Sequence, residues 1–570
     1  MNTWRRRLIC AATGLAVSLV GLAGPARSDQ YLPGVVKTRD LRVPLSDGSF
    51  LRADLYRPSG DSDKRLPTAM LMFPYKKDDA SRLERDTVYA LARAGFASVV
   101  VDVRGTGASP GEFCFFCKRE VRDGYEAVEW AARQRWSNGR VGMWGYSYSG
   151  ITAAHVATLR PPHLEGIVAG SAFNDGYRDL MYPGGLRASG DFAVIEQLFQ
   201  GTAPYGRVSS ESDPRTSVEM FLDAAGNPST IGAEFLRRDT YDRWWRERAL
   251  DGKAHRVDVP VLHVTGWHDL YPRAAALNFR QMRVRDRAML VGPWGHIGPF
   301  TPTTAIGASE RLWQRATTRW LDTFVATPPG PERRRKRAAY PRLLMWDQDP
   351  ESRHVYHGTD SWRGQWRTHR RWLPAHRDET WHLCAGAPRA RAGAWPVQGT
   401  LHRATCEGEG AVPVAAAPLD VTSGTSVYHD IGVTGAAHDA LDQRSAATAT
   451  AFVGPRLDRA ATITGGARLD LTVTTAGTDA DWVAKVVDIA PDGDTRLVTR
   501  GWLKASHRAR DTSRSYLFHT HRNPQRLEPG EPYRLTIEIW PTSYRLRAGH
   551  RLAVLLEAAD TQKVLPSNES

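Results

Sequence analysis

The chain has 570 residues, of which 41% are hydrophobic and 24% are charged. This length is too great for one ordinary core, so we expect two or three domains, and the composition excludes a disordered or membrane-embedded protein. The net charge is +14, but the 76 basic residues are scattered among 62 acidic ones, which argues against a nucleic-acid-binding protein.

The first 28 residues have the pattern of a targeting segment. Arg5-Arg6-Arg7 supply positive charge, residues 8–23 are apolar, and Ala26-Arg27-Ser28 place small residues where a signal peptidase reads them. No later segment reaches the roughly 18 apolar residues that a membrane-spanning helix needs. We therefore expect an exported protein, periplasmic or extracellular, that is cleaved before Asp29 and has no integral membrane span. Export by the general or the twin-arginine route is left open.

The cysteines fall into two pairs that are close in sequence. Cys10 leaves with the targeting segment, which leaves Cys114 with Cys117 and Cys384 with Cys406. In an oxidising compartment both pairs are candidates for disulfides. Free thiols and a zinc site remain alternatives, although the two pairs fall in different predicted domains.

Short apolar strands alternate with helical stretches in two parts of the chain. A strand–helix alternation with fully apolar strands is typical of a parallel sheet covered by helices on both faces. The predicted strands are 68–73, 97–103, 141–144, 166–169, 261–265 and 288–291, and the predicted helices are 81–94, 123–135, 151–159 and 273–282.

These patterns divide the mature chain into five parts. An α/β core over residues 29–174 is interrupted by a helical cap over 175–255 and resumes over 256–328. A basic, exposed linker is predicted at 329–340. From 341 to 570, short β-branched and aromatic runs with frequent turn signals indicate an all-β sandwich or jelly roll.

A candidate nucleophile lies between a strand and a helix. Ser147 occupies the third position of Gly-Tyr-Ser-Tyr-Ser-Gly, and such an elbow needs small residues two places before and two places after the serine. Gly145 and Ser149 meet this need, although the strict pattern has glycine at the second place. Ser149 is a poor nucleophile candidate because branched Ile151 follows it by two.

A serine nucleophile needs a base, and the base needs an orienting carboxylate. In α/β-hydrolases these follow in the order serine, acid, histidine, in loops after later strands. Asp269 and His296 follow the last two predicted strands of the core. His268 is a rival base, but it precedes Asp269 and adjoins it.

The oxyanion of a tetrahedral intermediate needs hydrogen-bond donors. The backbone N–H of Tyr148, directly after the nucleophile, is one. Tyr75 follows an early strand and Pro74 restricts the chain that leads into it, so its phenol is a second candidate. From the residues alone, an ordinary core tyrosine is the stronger interpretation of Tyr75.

Several motifs together resemble the cocaine esterase and X-Pro dipeptidyl-peptidase (S15-like) family of α/β-hydrolases, which includes α-amino acid ester hydrolases. The resemblance extends over nearly the whole mature chain. The segments that carry it are 102–111, 123–125, 129–130, 134–139, 145–150, 266–269 and 292–296, with 479–485 and 549–552 near the C-terminus.

The resemblance implies a triad of Ser147, Asp269 and His296 and favours Tyr75 as the side-chain oxyanion donor. It also implies a galactose-binding-like jelly roll as the C-terminal domain. Tyr271 falls where the family often has an aromatic wall of the acyl pocket, with ordinary packing as the alternative. Two features depart from the family pattern. The chain ends soon after Asp560, and cysteines at 114 and 117 occupy a loop that usually lacks them.

We therefore expect a secreted serine hydrolase that cleaves esters or amides through an acyl-enzyme, without cofactor or metal. The substrate is expected to be a small ester or a short peptide, and homo-oligomerisation is left open. An X-Pro dipeptidyl-peptidase is the main alternative, with Asp175 and Asp179 available to bind an α-amino group. A glycan-binding protein with an inactive hydrolase core is a further alternative.

Overall fold

A computed structural model shows how these segments are arranged. It describes residues 34–60, 63–78, 82–188, 230–296, 309–351, 363–374, 376–392, 395–408, 410–414 and 449–558, with isolated positions between 220 and 226. The predicted targeting segment, residues 189–219 of the predicted cap and residues 559–570 lie outside the described residues.

The N-terminal half is built on one mixed sheet. Its strands run in the order β1-β2-β4-β3-β5-β6-β7-β8-β9. All pairs from β4 to β9 are parallel, whereas β1 and β2 are antiparallel to their neighbours. The strands are β1 (Val35–Pro44), β2 (Phe50–Pro58), β3 (Leu66–Phe73), β4 (Ala97–Asp102), β5 (Ser137–Tyr146), β6 (Leu164–Gly170), β7 (Val261–His268), β8 (Arg287–Gly295) and β9 (Leu343–Gln348).

Helices cover both faces of this sheet, as the apolar strands predict. In β3, Met70 and Met72 enter one core, whereas Leu71 and Phe73 enter the other, because successive side chains of a strand point to opposite faces. The first core includes residues of α2, α3 and α6, and the second includes residues of α1 and α7. The helices are α1 (Arg82–Arg93), α2 (Lys118–Ala132), α3 (Tyr148–Ala157), α4 (Ile231–Arg237), α5 (Arg243–Arg248), α6 (Pro272–Gln281), α7 (Ser309–Leu321) and α8 (Pro331–Ala338).

The described part of the predicted cap is helical or irregular. It comprises a π-helix (Gly176–Met181), a short turn (Pro183–Gly185), α4, α5 and a second turn (Ala254–Arg256). Trp245 of α5 is fully buried and packs edge-on against Tyr177 of the π-helix. No helix among the described residues is long and apolar enough to cross a membrane.

The C-terminal part is a sandwich of β-strands. One sheet has the order β11-β12-β13-β18-β15-β16, and β14 with β17 lies against it. Leu535 and Ile537 of β17 share one core with Ala484 of β15 and Leu556 of β18. The predicted jelly-roll topology stays a prediction. β10 (Gly364–His369) instead pairs antiparallel with β9 and belongs to the first sheet. The strands of the C-terminal part are β11 (His382–Ala392), β12 (Trp395–His402), β13 (Thr450–Arg456), β14 (Ala461–Val473), β15 (Asp481–Ile489), β16 (Thr495–Lys504), β17 (Tyr533–Leu546) and β18 (Arg551–Glu557).

The structure adds detail at two of the predicted boundaries. The segment predicted as a linker at 329–340 contains α8, because Pro331 and Glu332 favour a helix start and the basic residues that follow favour its end. The predicted domain start at 341 also cuts through the sheet of the core. β9 is parallel to β8 and hydrogen-bonded to it, so the sheet continues beyond that position.

Candidate active site

Ser147 stands in a sharp turn between β5 and α3. Its φ of 58° and ψ of −126° are unusual for a residue with a side chain, as expected for a strained strand-to-helix elbow. A Cβ on Gly145 would collide with the side chain of Ser149. A Cβ on Gly150 would lie 2.8 Å from the Gly145 carbonyl oxygen and still closer to that of Gly170. The elbow therefore requires glycine at 145 and 150, and it leaves Ser147 half-buried at its tip.

His296 and Asp269 complete a chain of hydrogen bonds that begins at Ser147. The Ser147 Oγ lies 2.8 Å from His296 Nε2, and His296 Nδ1 lies 2.7 Å from Asp269 Oδ1. The sequence placed both residues four or five positions beyond their strands. β7 and β8 are longer than predicted, and each residue directly follows the end of its strand. The carboxyl edge of the sheet thus brings all three predicted residues together.

The Asp269 carboxylate is buried and held by several donors. Tyr146 donates its phenolic hydrogen to Oδ2 at 2.6 Å, and the Ser171 hydroxyl and the Leu270 amide donate to Oδ1 at 2.7 and 2.6 Å. Burial acts to raise the pKa of Asp269. This effect of burial is outweighed by the charge of His296 and by hydrogen bonds from His296, Tyr146 and Ser171. The pKa of Asp269 is therefore lowered overall. Asp269 is therefore an ionised partner for the imidazole at neutral pH.

Ser171 is a site residue that the sequence analysis missed. It follows β6 directly, and its hydroxyl lies 2.7 Å from Asp269 Oδ1 and 3.1 Å from His296 Nδ1. Its φ of 41° is in the left-handed region. Its position directly after the carboxyl end of β6, a strand beside β5, could have marked Ser171 as a candidate, because the same reasoning identified Asp269.

Both predicted oxyanion donors lie beside Ser147. Tyr148 is the first residue of α3, so its N–H has no partner within the helix. The Tyr75 ring packs edge-on against the Tyr148 ring, with 6.3 Å between centroids. Burial and the charge of Glu84 raise the pKa of Tyr75. A hydrogen bond with the Ser147 side chain opposes this rise, but the pKa stays above its ordinary value. The phenol is therefore protonated at neutral pH and able to donate.

The remaining predicted residues have defined places. Tyr271 is buried, and its ring lies 5.8 Å from the His296 ring and 6.0 Å from that of Phe173. His268, the rival base, is directed elsewhere, with Nε2 at 2.6 Å from Gln348 Oε1. Ser149 is fully buried, and its hydroxyl donates to the Tyr146 carbonyl oxygen, which agrees with its rejection as a nucleophile.

Both cysteine pairs form disulfide bonds. Cys114 is joined to Cys117 in the loop before α2, and Cys384 is joined to Cys406 near the β11–β12 hairpin. Cys384 lies on β11 in the C-terminal sandwich. The two bonds therefore lie in different parts of the molecule, as the sequence predicted for a pair of local disulfides.

Comparison with known proteins identifies both halves of the chain. Residues 47–298 match the family model described as X-Pro dipeptidyl-peptidase (S15 family). Residues 336–570 match the X-Pro dipeptidyl-peptidase C-terminal non-catalytic domain. The chain is 27% identical to cocaine esterase from Rhodococcus sp. (strain MB1 Bresler), over 92% of this chain and 91% of that protein.

Solved structures agree on the fold. An α-amino acid ester hydrolase superposes with a TM-score of 0.70 at 19% identity, covering 96% of this chain and 95% of that one. A CocE/NonD family hydrolase from Staphylococcus aureus superposes with a TM-score of 0.68 at 20% identity, covering 94% and 88%.

An α/β-hydrolase core joined to a non-catalytic all-β domain defines the class of protein as a serine hydrolase. Within that class, the chain belongs to the S15-like family of cocaine esterase and X-Pro dipeptidyl-peptidase relatives. Members of this family include esterases and dipeptidyl-peptidases.

Proposed function

We propose that this protein hydrolyses carboxylic esters through an acyl-enzyme formed on Ser147. The observation that carries the proposal is the hydrogen-bond chain from Ser147 through His296 to Asp269, at 2.8 and 2.7 Å. A serine hydroxyl becomes a useful nucleophile only when an adjacent base removes its proton, and these contacts supply that base and its orienting acid.

In the proposed mechanism, Ser147 attacks the ester carbonyl while His296 Nε2 accepts the hydroxyl proton. Asp269 holds the imidazole with its other proton on Nδ1 and stabilises the imidazolium. His296 then protonates the leaving alcohol, and the same residue activates water to release the acid from Ser147. No other reactant is required.

The developing oxyanion is proposed to accept hydrogen bonds from the Tyr148 amide and the Tyr75 hydroxyl. The N-terminus of α3 favours negative charge at this position. Tyr271, which contacts His296 edge-on, is proposed as an aromatic wall beside the acyl group. Its place between His296 and Phe173 supports that role.

Ester hydrolysis is preferred to X-Pro dipeptidyl-peptidase activity because both carboxylates considered for an α-amino group are engaged. Asp175 accepts hydrogen bonds from the Tyr177 amide and from Arg178. Asp179 accepts them from the Asn174 amide and from Arg273, and both carboxylates are buried. Binding an ammonium group would require breaking these contacts.

The test compares the wild-type protein with Ser147→Ala. Wild type should hydrolyse a p-nitrophenyl acyl ester far faster than an X-Pro p-nitroanilide. Ser147→Ala should lower ester turnover by about 10⁴-fold or more and abolish labelling by a fluorophosphonate. Ser513→Ala, at an exposed serine, is the matched control. Ester turnover that survives in Ser147→Ala would refute the proposal.

We also propose that the protein is exported, on the grounds of the pattern in residues 1–28 and of two disulfides, which form and persist in oxidising compartments. Cell fractionation and mass spectrometry of the mature N-terminus test this. An N-terminus at Asp29 in the exported fraction is expected, and intact residues 1–28 on the accumulated protein would contradict it.

A further inference from the structure

The loop formed by residues 114–117, hereafter the CFFC loop, has no role in the mechanism described above, yet it is tightly constrained. A disulfide joins its ends, and both residues between them have left-handed backbone conformations, with φ of 52° at Phe115 and 55° at Phe116. This conformation is unfavourable for residues with a side chain, so surrounding contacts must hold the pair in place.

Those contacts lead to the residue beside the nucleophile. The Phe116 ring stacks on the Tyr148 ring, with 4.1 Å between centroids and 25° between planes. The Phe115 ring meets Tyr148 edge-on at 6.1 Å and contacts Phe173 at 6.2 Å. Both phenylalanines are almost completely buried, at 2% and 1% exposure, so their rings have little room to move.

A buried carboxyl group makes a second connection between the loop and Tyr148. Glu120, in the first turn of α2, accepts the Tyr148 phenolic hydrogen at 2.6 Å and the Phe116 amide hydrogen at 2.9 Å. Arg248 of α5 donates to the Cys114 carbonyl oxygen at 3.3 Å and so ties the loop to the described part of the cap. The ring and the hydroxyl of Tyr148 are thereby held from the side of the loop.

We propose that the CFFC loop is a positioning device for the oxyanion hole. Its disulfide fixes Phe115 and Phe116 in the conformation in which, together with Glu120, they hold Tyr148 and therefore its backbone N–H. This inference rests on the proposed function, because it assigns a role to the Tyr148 amide. Phe115, Phe116 and Glu120 are positioning residues, since they act through Tyr148.

The experiment removes the crosslink and leaves the reacting residues unchanged. The variant C114S/C117S is compared with wild type and with C384S/C406S, which removes the disulfide of the C-terminal sandwich and serves as the matched control. Turnover of a p-nitrophenyl ester gives kcat and KM, and active-site titration gives the fraction of competent enzyme. Inhibition by an alkyl boronic acid adds a readout of the oxyanion hole, because addition of Ser147 Oγ to boron gives a tetrahedral adduct.

The expected result is a fall in kcat per titrated site of about tenfold or more in C114S/C117S, because a displaced oxyanion donor loses much of its effect on the transition state. KM should change far less, and the boronic acid Ki should rise in step with the fall in kcat/KM. C384S/C406S should retain the wild-type kcat and Ki. An unchanged kcat per site in C114S/C117S overturns the proposal, as does a loss confined to the number of titratable sites.

A second variant covers the case in which C114S/C117S fails to fold. Phe116→Leu keeps the disulfide and apolar burial but removes the ring stacked on Tyr148. It should lower kcat and weaken the boronic acid in parallel, and wild-type values would overturn the proposal. Failure of the proposed function can be distinguished from failure of this loop proposal. In the first case the wild-type protein itself would show no Ser147-dependent hydrolysis.

Discussion

Tyr146 donates its phenolic hydrogen to Asp269 Oδ2 at 2.6 Å, so the residue directly before the proposed nucleophile also holds the carboxylate that is proposed to orient the base. Burial and the charge of Asp269 raise the pKa of Tyr146 well above its ordinary value, and the phenol therefore stays a donor. The end of β5 thus positions two members of the hydrogen-bond chain at once.

Tyr146→Phe should damage both catalysis and stability. Loss of one donor to a buried carboxylate costs about 1–3 kcal/mol, and the remaining donors at Asp269 limit the effect on kcat to about tenfold, far less than the ~10⁴-fold expected for Asp269→Asn. Steady-state kinetics and thermal unfolding measure both effects. Tyr544→Phe is the matched control, because that phenol donates to Asp488 at 3.0 Å in the sandwich. Tyr544→Phe should lower stability and leave kcat unchanged. A wild-type kcat in Tyr146→Phe would contradict the role given to the Tyr146 hydroxyl at Asp269.

Gly150→Ala should displace the elbow. The new methyl group would meet the carbonyl oxygens of Gly145 and Gly170, and backbone atoms cannot move aside as a flexible side chain can. We expect a loss of about 1–3 kcal/mol in stability with a larger proportional loss of ester turnover, since Ser147 moves with the start of α3. Gly386→Ala, where a Cβ meets no atom within 4 Å, should be tolerated. Normal turnover in Gly150→Ala would show that the elbow can relax.

The sequence was most informative where function depends on local spacing. Ser147 with its small neighbours, and Asp269 and His296 at strand ends, could be predicted because an elbow and a chain order constrain them. Ser171 could have been suspected from its place directly after β6, but its contacts with Asp269 and His296 arise only when separate strands pack together. Glu120 gave no such signal, because its contact with Tyr148 depends on the packing of α2 against α3. The helix within the predicted linker at 329–340 was not foreseen, because a run of basic residues was interpreted as solvated chain, although Pro331 and Glu332 form a good helix start; none of the residues of this helix is buried.

Arg273 of α6 connects the hydrolase core both to the cap, through a buried contact, and to the C-terminal sandwich, through a partly buried one. Its guanidinium donates to Asp179 Oδ1 at 2.6 Å and to Glu538 Oε2 of β17 at 2.8 Å. Arg273→Met should cost about 3–5 kcal/mol, because the fully buried Asp179 would lose its charged partner. Differential scanning calorimetry should show a clearly lower Tm. Arg243→Met, which removes an exposed ion pair with Glu247, should change stability by less than about 0.5 kcal/mol. Similar Tm values for both variants would contradict the importance of the Arg273 contacts.

Glu120 should make stability fall as the pH rises. Burial raises its pKa to about 7, even though hydrogen bonds from Tyr148 and Phe116 oppose the shift. The unfolded chain releases this proton near its ordinary pKa of 4.5, whereas the folded protein keeps it until about pH 7. Between these values the unfolded state binds fewer protons, so the free energy of unfolding decreases by on the order of 3 kcal/mol.

Glu120→Gln removes this ionisation and keeps the shape of the side chain. The Tm of wild type should therefore fall progressively relative to the Tm of Glu120→Gln between about pH 5 and about pH 7. Above that range the two Tm curves should run parallel. Burial also raises the pKa of Asp102 to about 7, but that contribution is common to both proteins and cancels in the difference. Tm curves that stay parallel across this pH window would show that Glu120 is already ionised in the folded protein, whereas the predicted divergence would identify it as the proton-holding link between the CFFC loop and Tyr148.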